Sequence, residues 1–265
     1  MSFNYTELDL NRFDKEVVRY LQSLTGRVHH AAMNALRHLE RAKAIAGIDP
    51  EMAAFRAITA EEEAATAFFS SLKQLRHKNS KKLNYRDHKL KAGLSPFITV
   101  VHHQIHEIFP LLLEGRLKWE NLSSNKEVRR LRLIIKINGV RGWIMPEPPL
   151  NFRLSDSDSN EPTYFESQIN KLSQGVGKEK ALDHIKEIAN LRNKLLYASD
   201  TGYLRLNKER ILEDIEACNQ RVFRILRILC LVHPYKEHAL FVQQCMDSYL
   251  LMMERITKEE LNNEI

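Results

Sequence analysis

Two segments of the chain, far apart in sequence, carry polar side chains on otherwise apolar helical patterns. The first is AITAEEEAATAFF at 57–69, followed by YRDHKLK at 85–91, and the second is LRNKLLY at 191–197. A charge within an apolar face destabilises a protein unless an opposite charge pairs with it. We therefore expect the carboxylates of the first segment to meet the arginine of the second, and the remaining polar groups to form a site.

Glu62 is the carboxylate that helical spacing places on the apolar face. The other members of that face, three or four positions apart, are Phe55, Ile58, Ala65, Phe69 and Leu72. Glu61 lies beside this row, and Glu63 is expected on the opposite, solvated side. Two interpretations stay open. In the first, Glu62 forms a structural ion pair, or the helix is turned towards Glu61. In the second, Glu62 orients a catalytic or RNA-binding arginine.

Arg192 is the arginine that the same spacing selects. It shares a face with Leu182, Ile185, Ile188, Ala189, Leu195 and Leu196. A guanidinium is always charged, and its planar fork of donors fits a carboxylate or a phosphate. The pattern is therefore compatible with a structural Arg–Glu clamp, capped by Tyr197, and with a phosphate-binding arginine.

Taken together, these motifs resemble the HEPN superfamily, and within it the AbiV-type abortive-infection branch. The resemblance rests on the order and spacing of the motifs and covers about 27–92 and 178–200. It implies an all-helical domain that dimerises, so that the arginine motifs of two subunits meet at a cleft. It also implies metal-independent RNA cleavage in phage defence or toxin systems, with Arg192 on the phosphate, Asn193 as its polar neighbour and the RNA 2′-hydroxyl as nucleophile.

The chain departs from the family pattern where a histidine is expected. That position holds Tyr197. A tyrosine has a pKa of about 10 against about 6.5 for histidine, so it is a poor general base at neutral pH. It can still donate a proton or bind phosphate, and His88 in the YRDHKLK segment is the candidate for the missing imidazole. The lysine that often follows the paired glutamates is also absent, since Ala65 and Thr66 stand there.

A basic run from 73 to 91 surrounds His88 and is opposed only by Asp87. Such a run is more often a solvated face. Its one aromatic residue, Tyr85, provides little aromatic surface on which bases could stack. Clustered cations nevertheless bind phosphates by counterion release. The members that we expect to contact RNA are Lys73, Arg76, Lys89 and Lys91.

No metal or cofactor motif is present in the sequence. His102 and His106 are one helical turn apart, with His103 between them, but they lack the HExxH form and further ligands. The three cysteines fit no zinc spacing and are predicted to be reduced. The net charge of +6 permits a polyanionic partner. The absence of a signal peptide and of a bilayer-length apolar run predicts a cytoplasmic protein that does not enter membranes.

The 9 glycines and 8 prolines are few for this length and favour long helices. Helices are predicted at about 7–25, 27–46, 50–76, 95–114, 178–197, 207–232 and 235–256. Asp49-Pro50 is a strong helix start. The β-branched run 128–137, followed by Asn138-Gly139 and 140–145, predicts a β-hairpin.

These patterns predict an all-α fold, a HEPN-like helical bundle with a small β-hairpin insertion. The helical domain comprises 1–119 and 163–265, and the insertion with its loop comprises 120–162. We expect a homodimeric antiviral endoribonuclease that acts on RNA, needs no cofactor and is compatible with a neutralising protein partner. The alternatives are a catalytically degenerate module that binds RNA, a nucleotide or a protein, and a purely structural helical scaffold.

Overall fold

A computed structural model describes residues 8–108, 113–121, 129–137, 139, 141–155, 161–163, 165, 190–197, 202–207 and 209–263. Within these ranges the protein is mostly helical and contains one two-stranded hairpin, which confirms the predicted combination of helices and a hairpin. The helices are α1 (Arg12–Ser23), α2 (Gly26–Ile45), α3 (Pro50–Gln74), α4 (His88–Ile108), α5 (Ile211–Val232) and α6 (Leu240–Asn263). A further helical segment covers 190–196; the rest of the helix predicted at 178–197 lies outside the described residues.

Helix α3, which carries the glutamates, begins where the sequence predicted. The Asp49 side chain accepts a hydrogen bond from the Met52 backbone N–H at 2.9 Å, and Pro50 is the first helical residue. A proline is tolerated there because the first backbone N–H groups of a helix have no partner within the helix. The apolar row that contains Glu62 follows from this start.

Helix α4 begins earlier than predicted. The expected start at Ser95-Pro96 is wrong: Pro96 lies inside the helix, and Asp87 caps a helix that begins at His88. The Asp87 carboxylate accepts from the Leu90 N–H at 3.1 Å. A capping aspartate satisfies an otherwise unpaired donor, so the helix starts at the first good cap. As a result, His88 and Lys91 occupy the first turn of α4.

The predicted strand at 128–137 is present in the hairpin, but it pairs with a different segment from the predicted one. Strand β1 (Leu113–Asn121) pairs antiparallel with β2 (Arg129–Ile137), with Leu117 opposite Leu133. The predicted partner, 140–145, contributes only a bridge between Ile144 and Ile135. The sequence LEGRLKWEN alternates apolar or small residues with charged ones, which is the period of a half-exposed strand. This period was missed, and β1 begins before residue 120, where the predicted insertion starts.

The chain forms two compact units, and each is built from separate stretches of sequence. Unit 1 comprises Met1–Ser70, Tyr85–Ala92 and His184–Leu229, and unit 2 comprises Ser71–Asn84, Gly93–Asp183 and Cys230–Ile265. Unit 1 contains α1, α2 and most of α3 and α5, whereas unit 2 contains the hairpin and α6. The three motifs that resemble the HEPN family, at 57–69, 85–91 and 191–197, fall in unit 1, whereas 71–84 between the first two belongs to unit 2.

The core of unit 1 combines small and large apolar side chains. The fully buried ones include Val17, Leu21, Ala32, Leu36, Leu39, Ala60, Ala64, Ile215 and Leu226. Alanines on α2 and α3 let helices approach closely. A partly buried ion pair joins α1 to α5: two guanidinium nitrogens of Arg227 donate to Asp14 at 2.8–2.9 Å. Arg227 thus has a structural role.

In unit 2, adjacent glutamines of α6 fasten two backbone segments. Gln243 accepts from the Lys78 N–H at 3.0 Å and donates to the Lys78 carbonyl at 3.1 Å. Gln244 makes the same pair of bonds with Leu154, at 3.1 and 2.7 Å. The side-chain amide of each glutamine therefore supplies the hydrogen-bond partners that the backbone of an irregular segment would otherwise lack. None of the described helices combines the length and apolarity required to cross a membrane.

Candidate functional site

Glu62 is the centre of a polar cluster in unit 1. Its side chain is 7% exposed, which confirms the predicted position on the apolar face. The two carboxylate oxygens accept from His88 Nδ1 at 2.8 and 2.9 Å, and one of them accepts from Lys91 Nζ at 3.1 Å. His88 and Lys91 are three residues apart on α4, so both side chains reach the same face.

Arg192 lies at the outer side of this cluster. Its Nη1 is 4.0 Å from Glu62 Oε2 but only 3.1 Å from His88 Nε2. Its guanidinium also sits 5.2 Å from the centre of the Phe55 ring, a distance suited to a cation–π contact. Glu62 and Arg192 are therefore neighbours, as the sequence predicted. The closest partners of Glu62, however, are the side chains from α4, which the sequence did not pair with it.

The contacts of His88 define the tautomer of its neutral ring. Nδ1 lies within hydrogen-bonding distance of both Glu62 oxygens, so it carries the proton and donates it. Nη1 of Arg192 is 3.1 Å from Nε2 and 3.3 Å from Nδ1, so the guanidinium lies over the face of the ring and not along the in-plane lone pair of Nε2. A carboxylate that holds one ring nitrogen fixes the orientation of the other. The Nε2 lone pair therefore stays available beside the arginine.

The cluster carries excess positive charge. The single carboxylate of Glu62 faces two permanent cations, Lys91 and Arg192, and a neutral His88 adds nothing to the balance. The Lys91 side chain is only 6% exposed, so its charge is compensated by Glu62 with little help from solvent. Arg192 is 30% exposed and leaves a positive charge accessible beside the imidazole. This arrangement favours a bound anion.

Asn193 and Tyr197 are exposed residues of the 190–196 segment and its end. The Tyr197 N–H donates to the Asn193 carbonyl at 2.9 Å, which continues the helical hydrogen-bond pattern. The Tyr197 side chain is 70% exposed. Because its hydroxyl is in solvent, Tyr197 is accessible to a substrate but has no role in holding Glu62.

The basic run is divided between the two units. Lys73 and Arg76 belong to unit 2, whereas Lys89 and Lys91 belong to unit 1. Arg76 and Lys89 are exposed and Lys73 is half-buried, but Lys91 is buried against Glu62. The charge pattern of the sequence does not predict which of these side chains is buried, because the direction of the Lys91 side chain depends on where α4 begins.

The three consecutive glutamates of α3 enter three environments. Glu61 accepts from Arg221 Nε at 2.9 Å, so it has an arginine partner of its own. Glu63 is half-buried, not fully solvated as predicted, and lines a cleft of about 460 Å³. The other residues of that cleft are Arg27, His30, Ala31, Asn34, Thr66 and Tyr85. Successive helix positions differ by about 100°, which sends each carboxylate in a different direction.

A second cationic group in unit 1 was missed by sequence reasoning. Burial, followed by the charges of Arg56, Arg37, Arg41 and Arg192, lowers the pKa of His38 to about 4. We call Arg37, Arg41, Arg56 and Arg192 the arginine group. The sequence RHLER at 37–41 was the available signal, because positions four apart share a helix face. The sequence did not reveal the arginine group because its members come from separate elements.

The described residues contain no set of three or more His, Cys, Asp or Glu side chains positioned to hold a metal ion. Cys218, Cys230 and Cys245 are free thiols. Burial raises the pKa of each thiol well above its usual range. A buried thiol of raised pKa is a poor nucleophile, so the polar cluster at Glu62 is the better candidate for chemistry.

No family model matches the chain, and no curated protein or solved structure matches it. The resemblance to the HEPN superfamily therefore stays a prediction from the motifs. The case for function rests on the geometry at Glu62, His88, Lys91 and Arg192.

Proposed function

We propose that the protein is a HEPN-like endoribonuclease that cleaves RNA without a metal ion and serves as a phage-defence effector. The observation that supports this most is the position of His88, whose ring lies between the Glu62 carboxylate and the Arg192 guanidinium. An imidazole held by a carboxylate is a suitable general base near neutral pH. His88 would thereby replace the histidine that is absent at Tyr197.

In the proposed reaction, Arg192 donates to a non-bridging phosphate oxygen beside the His88 ring. The Nε2 lone pair of His88 accepts the proton of the RNA 2′-hydroxyl. The O2′–P bond then forms and the P–O5′ bond breaks, which gives a 2′,3′-cyclic phosphate. The 5′-oxygen leaves with a proton from solvent or from the exposed Tyr197 hydroxyl. This reaction needs no protein nucleophile.

The remaining residues of the cluster position these groups. Glu62 stabilises the imidazolium that forms when His88 accepts the proton, as a buried carboxylate does in related dyads. Lys91 holds Glu62 from the other side at 3.1 Å. We assign RNA contacts to Asn193 and Lys89, which are exposed in the same unit.

The other elements of the proposal come from the resemblance. It implies that two copies of the chain pair so that their Arg192 segments form one RNA-binding cleft. Lys73 and Arg76 of unit 2 would also contact RNA phosphates. Two copies would also place two positive clusters near one RNA strand, and like-signed sites along a polyanion increase its affinity.

The test is cleavage of a mixed RNA pool in EDTA by the parent protein, Arg192→Ala and His88→Ala. We expect the parent to cleave and both variants to lose at least about a hundredfold in rate, as expected when a general base or a transition-state cation is removed. Products of the parent should end in a 2′,3′-cyclic phosphate, which mass spectrometry identifies.

Arg19→Ala is the matched control, because Arg19 is 72% exposed on α1, where it forms an exposed ion pair with Glu16. All variants must have the thermal midpoint of the parent before rates are compared. Cleavage by His88→Ala at the parental rate would rule out the proposed base. Loss of activity in Arg19→Ala as well would show that the assay reports folding or general charge.

A binding module that lacks catalysis is the second candidate. It is favoured by the tyrosine at the expected histidine position, because a tyrosine is a poor general base at neutral pH. The same assay separates the two functions. RNA retention by the parent without cleavage, lost in Arg192→Ala, would support the binding module.

A further inference from the structure

One face of the hairpin, which belongs to unit 2, is strongly cationic. The two strands carry six basic residues against two acidic ones. Side chains alternate between the faces of a strand, and residues paired across two strands share a face. Lys118 lies opposite Arg132 in the antiparallel register, so five of the six cations fall on one side. We call Arg116, Lys118, Arg130, Arg132 and Lys136 the cationic face.

The charge of the cationic face is only partly compensated. Arg132 pairs with Glu120 at 3.1 Å and also with Glu147. Lys118 is exposed, and neither Lys118 nor Lys136 forms an ion pair within the part of the chain that the structure describes. Positive charge therefore remains accessible on this face, and it attracts anions.

The ring of Trp143 lies on the cationic face. Ile144 and Ile135 exchange two backbone hydrogen bonds of 2.8 Å in an antiparallel bridge. The neighbours of Ile144 therefore project to the other side of the sheet, which is the side of Lys136. The contacts agree with this geometry. Arg116 Cζ is 5.8 Å and Lys136 Nζ is 5.7 Å from the centre of the Trp143 ring, within the range of a cation–π contact.

The Trp143 ring is also accessible to solvent. It is 53% exposed, and its neighbours Ile144 and Met145 are exposed to a similar degree. Single apolar residues are common on protein surfaces, whereas adjacent ones that together stay in water mark an interaction site. A large aromatic ring gains stabilisation when another flat surface covers it. The hairpin therefore combines an uncovered aromatic ring with accessible cations.

We propose that the cationic face binds single-stranded nucleic acid, with one base stacked on Trp143 and the adjacent phosphates held by Lys118 and Lys136. Proteins that bind single strands combine these two elements, because every base has a π-face and every nucleotide has a phosphate. The inference goes beyond the proposed function, since it concerns unit 2 and involves no cleavage.

A lipid membrane is the other partner that apolar and basic residues together can bind. The hairpin fits a membrane less well, because the bridge at Ile144 directs this side chain away from Trp143 and Met145. The cationic face then offers one ring and one methionine, whereas an interfacial anchor inserts a broad apolar face. A single ring flanked by two cations matches a base between its phosphates.

The first test uses the fluorescence of Trp143. The chain has two tryptophans, so Trp119→Phe leaves Trp143 as the only one, and Trp143→Phe leaves Trp119. A short oligodeoxythymidylate is the probe, because it lacks the 2′-hydroxyl and is no substrate of the proposed reaction. It should quench the emission of the parent and of Trp119→Phe but not that of Trp143→Phe. Equal quenching in the parent and Trp143→Phe, or no quenching in the parent, would overturn the proposal.

The second test compares affinities for the same oligonucleotide. Trp143→Ala should bind about tenfold more weakly than the parent, the effect of losing one base–aromatic stack. An abasic oligomer, which keeps the phosphates, should bind the parent and Trp143→Ala equally. Parental affinity of Trp143→Ala for the oligodeoxythymidylate would contradict stacking on this ring.

The phosphate contacts are tested by salt dependence. Lys118→Gln should reduce the slope of log affinity against log salt by about 0.7, the value for one phosphate contact of a single strand. Lys236→Gln is the matched control, because Lys236 is an exposed lysine of unit 2 that lies outside the hairpin. The same reduction in both variants would show a general effect of charge and would overturn the assignment of Lys118.

Two further outcomes separate the alternatives. A shift of the Trp143 emission with vesicles of phosphatidylcholine and phosphatidylserine, and none with the oligonucleotide, would replace the proposal by a membrane surface. Quenching by the oligonucleotide in a parent that cleaves no RNA would remove the proposed function and leave this site. RNA cleavage by the parent, with parental oligonucleotide affinity in Trp143→Ala, would remove this site alone.

Discussion

At the scale of single residues, the structural role of Glu62 and the chemical role that we propose for it are inseparable. It compensates the buried ammonium of Lys91 and at the same time orients the ring of His88. Of the two interpretations that the sequence left open, the structural ion pair is present with Lys91, whereas the side chain that Glu62 orients is His88 and not the predicted Arg192. Activity measurements on Glu62 variants are therefore meaningful only beside stability measurements.

We predict that Glu62→Ala lowers the free energy of unfolding by about 3–5 kcal/mol, because it leaves a buried charge on Lys91 without a partner. Arg19→Ala, which breaks an exposed pair with Glu16, should change it by less than about 1 kcal/mol. Urea unfolding followed by circular dichroism measures both. Equal effects of the two substitutions would contradict the assignment of Glu62 as a buried hub.

At the scale of elements, helix starts decide which side chains can meet. The Asp87 cap places His88 and Lys91 on one face of the first turn of α4. A start at Ser95 would have left both in a connecting segment. The Asp49 cap has the same importance for α3, because it fixes where the row that includes Glu62 begins.

We predict that Asp49→Ala destabilises the protein by about 1 kcal/mol, since the Met52 N–H loses its acceptor. Asp49→Asn should be close to the parent, because an asparagine side chain also accepts this hydrogen bond. Thermal unfolding of the two variants tests the cap. A similar loss in both would mean that the negative charge matters more than the hydrogen bond.

At the scale of the whole molecule, half-buried histidines make stability depend on pH. Burial lowers the pKa of His77 and His233 in unit 2, and burial with four nearby arginines lowers that of His38 from 6.5 to about 4 in unit 1. Since the folded pKa lies below the unfolded one, the unfolded chain binds more protons between these values. Stability is therefore full above about pH 6.5 and is lost as the pH falls towards 4.

We predict that the thermal midpoint of the parent falls between pH 6.5 and pH 4, and that His38→Gln flattens this dependence. Calorimetry at constant ionic strength in a non-phosphate buffer measures the effect. The same pH dependence in His38→Gln and the parent would contradict the role of His38.

The sequence by itself determined the features that depend on local chemistry. The spacing of α3 placed Glu62 on an apolar face, Asp49-Pro50 began the helix, and the β-branched run at 129–137 formed a strand. Each follows from contacts within a few residues. Nothing comparable revealed β1, because a short alternating segment competes with the helical pattern before it.

Tertiary structure alone decided which of these residues meet. Lys91 and Lys89 are similar in sequence, yet one is buried against Glu62 and the other is exposed. The contact of Arg192 with His88 joins positions separated by 104 residues. The arginine group likewise combines α2, α3 and the 190–196 segment. Such meetings depend on how helices pack across the core, a property that periodicity within one segment does not encode.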